Sequence, residues 1–357
     1  MSTVLPPTIQ LEIDRWITQQ GWTPTDWKTL PVLGLGFSQS RIWRLAPRLT
    51  NVSFSFDSKT SIDRISENGF AIRCWGRSVE DRDSIQRILF FQQSAHHALN
   101  DSIVPEVLHW TDQTTCLEID GSIWTIERWR PGDFLKHNAR VSDQLLQNAF
   151  QVLERLHTVG RALGVQRAIA PGILERSSKL AKWSSTDWSQ RTMRNAKKFR
   201  TFPSNRLEWN SCESILESAI DHFHRHRISF TSQLQRLSIP TDCYWVIRDL
   251  WRENMLIQED QVTGIIDFGA SRIDSPILES VRWLSSWLSP DDARAGEYLE
   301  DRRWLSRDEY RFFDYLSTLL SLIQWFDWLL NEDRTFEGRE SRVLSRIVEL
   351  DQRLWFF

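Results

Sequence analysis

Val246-Ile-Arg-Asp-Leu-Trp-Arg-Glu-Asn-Met-Leu-Ile257, followed by Gly264-Ile-Ile-Asp-Phe-Gly269, is the stretch whose reading decides the fold. It places a carboxylate at Asp249, a carboxamide at Asn254 after four intervening residues, and a second carboxylate at Asp267, eighteen positions beyond the first. Apolar residues flank each polar one, which predicts short buried strands on either side of a tight loop. Either motif alone recurs by chance. The two in this order, each set between apolar runs, point to a site.

Composition frames that site. The chain has 357 residues, long enough for two lobes, and is 41% hydrophobic and 25% charged, as a globular protein is. The formal charge of −3, from 44 basic and 47 acidic residues, lacks the basic excess of a nucleic-acid binder. Cys74, Cys116, Cys212 and Cys243 are scattered without a CxxC pair, which fits neither a zinc site nor a disulfide framework and predicts a reducing cytoplasm. Met1 to Pro7 has no signal-peptide pattern. The Leu-, Phe- and Trp-rich run Phe312 to Leu330 is interrupted by Asp314, Ser317, Ser321, Gln324 and Asp327 at helical spacing, so it reads as an amphipathic helix buried in a core, and no membrane partner is expected. The 19 tryptophans read mainly as packing residues.

Working outward, Leu11 to Trp22 predicts a short helix. A strand-like run leads into Gly34-Leu-Gly-Phe-Ser-Gln-Ser40 and the strand-like Arg41 to Leu45, a strand–turn–strand unit. Thr50 to Asn68 reads as a long loop, Phe70 to Trp75 as a strand, and Asp81 to Leu99 as a helix. Thr115 to Ile119 and Ser122 to Trp129 predict a hairpin turning at Asp120-Gly121. Pro131-Gly132 breaks the chain, and the division is set there: residues 1–130 as a small sheet-containing lobe and 131–357 as a mainly helical one. Helices are expected over Ser142 to Leu163, Cys212 to Leu237, Leu278 to Leu288, Phe312 to Leu330 and Glu340 to Leu354. Arg176 to Arg206, polar and without a sustained apolar face, reads as a loop or an exposed helix.

Together these pieces resemble the aminoglycoside phosphotransferase and choline kinase family, whose pattern is HGDxxxxN, then I-D-F/W-G/E, then D-P-x-x-D. Here Ile247-Arg-Asp249, Asn254, Ile266-Asp-Phe-Gly269 and Asp274-Ser-Pro-Ile-Leu-Glu279 stand at those places, the last loosely. Asp249-Leu-Trp-Arg-Glu-Asn254 is similar to the D-L-W-x-x-N of the fructosamine kinase branch. Weaker matches are the Gly34/Gly36 loop, Ala71-Ile-Arg73, Ile126-Glu-Arg-Trp129 with Pro131-Gly132, and Leu153-Glu-Arg-Leu-His157.

The resemblance implies an α+β, protein-kinase-like bilobal fold, with a small antiparallel sheet in the N-lobe and a helical C-lobe. It also implies ATP- and Mg²⁺-dependent transfer of the γ-phosphate to a hydroxyl of a small polar molecule of aminoglycoside, sugar or amino-alcohol type. Asp249 is then the catalytic base for the acceptor hydroxyl, and Asn254 and Asp267 are the oxygen ligands of Mg²⁺. Gly34 and Gly36 let backbone amides approach phosphates, with Ser38 and Ser40 as hydroxyl donors. Arg73 is expected on the α- and β-phosphates, and the backbone of Glu127, Arg128 and Trp129 against the adenine. Trp251, two residues past the base, offers an aromatic face to the acceptor. His157 is expected to be structural, and Asp274 and Glu279 to brace the loop after Gly269 by capping the following helix. Arg176 to Asn210 and Ser289 to Ser306 are the segments expected to vary with the acceptor.

Two departures qualify the implied chemistry. The family histidine and glycine before the base are Ile247 and Arg248 here. The helix after Arg73 offers Gln86, Gln92 and Gln93 where a carboxylate partner for the arginine is expected. The alternative reading is therefore a nucleotide-binding kinase-like protein with weak or no catalysis. A protein kinase is disfavoured, because Asp274-Ser-Pro276 follows Gly269 too closely for a long activation segment.

Overall fold

The computed structural model describes residues 5–32, 40–48, 69–75, 81–99, 103–135, 139–201, 206–332, 334, 336 and 339–357. The chain divides into two compact units, 1–164 with 245–272, and 165–244 with 273–357. The division expected at residue 130 falls inside the first of these units.

The first unit begins with α1 (Pro7–Gln19), started by a proline at its first turn, where the missing N–H costs nothing. Strands β1 (Trp27–Val32) and β2 (Arg41–Pro47) pair antiparallel from Trp27↔Pro47 to Val32↔Ile42, as the strand–turn–strand reading requires. β3 (Phe70–Trp75) follows, then α2 (Arg82–Ala98), capped by the Asp81 carboxylate accepting from Ser84 N at 2.7 Å. β4 (Val107–Leu108), β5 (Leu117–Ile119) and β6 (Ser122–Arg128) complete a sheet ordered β1-β2-β3-β6-β4, with β5 also on β6. Asp120 and Gly121 connect Ile119 to its partner Ser122, both with positive φ (52° and 66°), which is the two-residue turn expected.

Alternation along β3 and β6 gives the sheet two different faces. Phe70, Ile72 and Cys74 join Trp124 and Ile126 in one apolar cluster with Ile9, Ile13 and Trp16 of α1 and with Trp27, Trp43 and Trp110. Here the tryptophans are core, as read. Trp16 meets Phe70 edge-on at 4.9 Å, and Trp43 lies 5.5 Å from Trp124. The opposite face carries Arg73, Trp75, Thr125 and Glu127.

The same unit holds β7 (Asp133–Phe134), α3 (Asp143–Ala162) and, where the chain returns, a hairpin of β8 (Met255–Gln258) and β9 (Gln261–Ile265). β8 pairs with β7 and β9. The hairpin is tied to α3, since Ser142 Oγ donates to Asp260 Oδ2 at 3.0 Å and Asn148 Nδ2 donates to Asp260 O at 3.0 Å.

The second unit is mainly helical: α4 (Pro171–Trp183), α5 (Thr186–Asn195), α6 (Arg206–Leu237), α7 (Pro276–Trp287), α8 (Ala293–Glu300), α9 (Arg307–Leu330) and α10 (Glu340–Leu354). Of the loop and the exposed helix expected over 176–206, the helix is found, as α4 and α5, but it is not simply exposed. Trp183, Trp188 and Phe199 are buried there, three large side chains supplying the apolar contact that the polar composition hides. In α9 the two carboxylates of the polar stripe are held by partners within the unit. Asp314 accepts from Arg353, and Asp327 accepts from Lys182 Nζ at 2.6 Å and from the indoles of Trp183 and Trp188 at 3.3 and 2.8 Å. Asp274 Oδ1 accepts from Ser275 N at 2.8 Å and from Gly172 N at 3.0 Å. It therefore satisfies a first-turn amide of α4, whereas the helix that follows it in sequence, expected to be the one capped, has no side-chain cap bond.

No helix among the described residues is long and apolar enough to cross a membrane. All four cysteines are free and buried, and burial pushes the Cys212 thiol up to about 12, an inert state.

Candidate active site

The strand Thr241–Val246 delivers the chain to a loop held by short-range bonds. Asp249 N donates to Ile247 O at 2.8 Å across Arg248, whose φ is +65°. That i to i+2 bond makes a γ-turn of the strained hand, at the position where the family pattern has glycine. Ile247 is buried in the apolar interior, so packing occupies the place of the family histidine.

Beyond the turn, Trp251 N donates to Asp249 O at 3.0 Å, and Asn254 Nδ2 donates to the same oxygen at 2.7 Å. The Asn254 amide nitrogen is thereby committed to the loop, which leaves its Oδ1 as the atom suited to a cation. The Trp251 indole Nε1 donates to Asp249 Oδ1 at 3.1 Å.

Asn254 and Asp267 are brought together by the hairpin. Met255 pairs with Ile265, and Ile266 N donates to Asn254 O at 2.9 Å, so Asp267 leaves the strand directly beside Asn254. Asp267 adopts a left-handed conformation, φ 63° and ψ 62°, which turns its side chain out of the strand direction. Phe268 stays buried, 5.9 Å from Phe91 of α2, and Phe91 stacks on Trp245 at 5.7 Å. This aromatic column fixes α2 to the loop that carries Asp267.

Arg73 reaches the same point from β3. Its Nη1 donates to Asp267 Oδ1 at 2.9 Å, its Nε lies 3.7 Å from Glu127 Oε1, and its guanidinium lies 5.2 Å from the Trp75 ring. Arg73 pairs in register with Thr125, and Ala71 with Glu127, so Arg73 and Glu127 are diagonal neighbours on one face. Burial acts most strongly on this arginine and disfavours its charge. Asp267 and Glu127 outweigh it and hold the guanidinium above its ordinary value.

The remaining sequence-derived candidates fall elsewhere or beyond description. Ser40 lies half-buried at the entrance to β2, whereas Gly34, Gly36 and Ser38 are outside the described residues. Glu127, Arg128 and Trp129 are placed at the end of β6, but their amides are engaged within the sheet. Glu127 pairs with Ala71 and Val107, Arg128 N donates to Glu106 O at 2.9 Å, and Trp129 N donates to Gly69 O at 3.0 Å. The Arg128 side chain donates to Glu106 Oε2 at 2.8 and 2.6 Å, and the Trp129 ring lies 4.8 Å from the Arg44 guanidinium. His157 is buried on α3. What sequence reasoning missed is the side chain of Glu127 and the role of Gln92, discernible only once the strand register is known.

The sequence model of the phosphotransferase enzyme family (APH) matches residues 76–316. The chain belongs to this family. It is a small-molecule phosphotransferase with a protein-kinase-like α+β fold. Among curated proteins no sequence matches it significantly. Among solved structures it is similar to the amicoumacin kinase hAmiN in complex with AMP-PNP, Ca²⁺ and Ami, with TM-score 0.55, 10% identity, and 98% of this chain and 96% of that one covered. Spectinomycin phosphotransferase APH(9)-Ia in complex with ADP and its antibiotic gives TM-score 0.55, 10% identity and 92% of each chain. A thermostable mutant of aminoglycoside phosphotransferase APH(4)-Ia, in ternary complex with AMP-PNP and hygromycin B, gives 0.50, 12%, and 96% and 98%. At these identities the likeness is one of fold.

Proposed function

We propose that this phosphotransferase uses ATP and Mg²⁺ to phosphorylate a hydroxyl of a small polar molecule. The observation that carries the reading is the convergence of Arg73, Asn254 and Asp267 beside the Asp249 loop, all within one compact unit. The donor set suits magnesium. Asp267 supplies a carboxylate that is 29% exposed, and Asn254 an amide oxygen; both are hard ligands. Among the described residues no three His, Cys, Asp or Glu side chains gather as a protein-only cage, which fits a cation whose other ligands are water and phosphate.

In this reading Arg73 binds the nucleotide phosphates, and Asn254 and Asp267 hold the cation, which neutralises the charge on the transferring group. Asp249 accepts the proton of the acceptor hydroxyl as its oxygen bonds to the γ-phosphorus. The bond from that phosphorus to the β,γ-bridging oxygen breaks, and ADP leaves. The amides of Arg128 and Trp129 are occupied within the sheet, so recognition of the adenine edge falls to the backbone that follows them. The acceptor is assigned to the sugar-like or amine-bearing class. Amicoumacin, spectinomycin and hygromycin B, the molecules bound by the fold neighbours, are natural first members of a panel.

The alternative, nucleotide binding with weak or no catalysis, rests on Ile247 and Arg248 and on the missing helix carboxylate for Arg73. The loop is nevertheless closed around Asp249 by the γ-turn and by Asn254, which supports a working base. Calorimetry of ATP with and without Mg²⁺ on wild type and Asp267→Ala is the test. Magnesium-dependent binding that is lost in the variant is expected. Binding indifferent to magnesium in the wild type, or none, sinks the kinase reading.

A further inference from the structure

Kinases pair the phosphate-binding cation of the sheet with a carboxylate on the neighbouring helix. The helix here presents an amide instead. Gln92 is 2% exposed on α2, and its Nε2 donates both to Glu127 Oε2 at 3.0 Å and to Pro105 O at 3.1 Å. Both of its amide hydrogens are thus committed. Glu127, 7% exposed, turns its other oxygen to Arg73 Nε at 3.7 Å, and Arg73, 6% exposed, donates to Asp267 at 2.9 Å. A buried line runs from helix amide to strand carboxylate to strand guanidinium to Asp267. With the carboxylate on β6, a second one on the helix at 3.0 Å could not stay ionised beside it, so glutamine at position 92 is the side chain that fits.

We infer that Glu127 is a positioning residue that keeps Arg73 neutralised on the sheet while Asp267 is released from the arginine to the metal–nucleotide complex. The inference rests on the kinase reading of this site. Its physical basis is a competition. Asp267 is a proposed metal ligand, yet its Oδ1 accepts from Arg73 Nη1 at 2.9 Å. Releasing it takes the nearer carboxylate from a buried cation and leaves that cation to Glu127 and the nucleotide phosphates, and a buried charge short of partners is costly. Glu127 removes that cost, because it shares the face of the sheet with Arg73 through register and stays paired when Asp267 leaves. Gln92 fixes the Glu127 carboxylate without adding charge.

The test is calorimetric titration of Mg²⁺ at fixed ADP, with adenosine binding as the control that involves neither Arg73 nor metal. Glu127→Gln is expected to raise the Mg²⁺ concentration needed for half-maximal ADP binding by roughly tenfold. Glu127→Asp, which retains the charge, is expected to stay within about threefold of wild type, and adenosine affinity should be equal in all three. A purely structural role would move adenosine and ADP together, and that result overturns the inference. So does a Glu127→Gln midpoint indistinguishable from wild type. Should Glu127→Gln not fold, Gln92→Leu carries the test: a smaller shift in the same direction supports the inference and no shift overturns it. A wild type that ignores Mg²⁺ removes the kinase reading and this inference together, whereas a responsive wild type with unshifted variants removes the inference alone.

Discussion

The indole of Trp251 donates a 3.1 Å hydrogen bond to Asp249, the proposed base, two residues before it. The aromatic side chain expected to face the acceptor is thus also a brace for the carboxylate. Trp251→Phe keeps the ring and removes the bond. A hydrogen bond to a charged group is worth about 1.5–3 kcal/mol, so kcat should fall roughly tenfold or more with acceptor KM little changed. Trp251→Ala should lower kcat similarly and raise acceptor KM as well. Steady-state ADP release across the acceptor panel separates the two, and an unchanged KM in Trp251→Ala ends the stacking role.

Removing the base itself should spare binding. Asp249→Asn is expected to lower kcat by about 10²- to 10⁴-fold while ATP affinity measured by calorimetry stays at the wild-type value. Loss of nucleotide affinity in this variant would mean that the loop, not proton transfer, depends on Asp249.

The break at Pro131-Gly132 has a steric basis. Gly132 has φ +122°, and a Cβ there would sit 2.4 Å from Thr263 Oγ1 and 3.0 Å from Leu256 Cβ. Gly164 has φ +131° with nothing within 4 Å. Gly132→Ala should therefore destabilise by about 2–4 kcal/mol, combining backbone strain with collision, and Gly164→Ala by only about 1–2 kcal/mol from strain. Urea denaturation of both variants reads the difference, and equal losses would refute the collision.

Asp327 predicts an acid-sensitive step in stability. Burial pushes its carboxyl upward, but bonds from Lys182, Asn331, Trp188 and Trp183 outweigh burial and hold it below its ordinary 3.8. A carboxyl depressed by folding stabilises the native state above its unfolded value and loses that contribution as pH falls through the folded one. Asp327→Asn should cost about 2 kcal/mol at neutral pH. Its deficit against wild type should narrow as pH drops below 3.8, and a deficit independent of pH would contradict the assignment.

Local pattern sufficed to predict that the groups of the proposed site come together. Asp249, Asn254 and Asp267 could be read from spacing because the loop and hairpin that unite them are contiguous, and short-range hydrogen bonds close them. The Asp120-Gly121 turn and the tryptophan core were legible for the same reason, since turn chemistry and apolar burial act residue by residue. The burial of α4 and α5 was not, because a few large side chains make their apolar face amid polar neighbours. Nor did sequence supply a partner for Arg73. Its contact with Asp267 joins positions 194 apart, and its pairing with Glu127 depends on the register of β3 on β6. Sequence alone determined which groups the proposed site contains, because their spacing is local. Tertiary structure decided which carboxylate neutralises which cation, because an ion pair is set by distance in space, and strand register sets that distance.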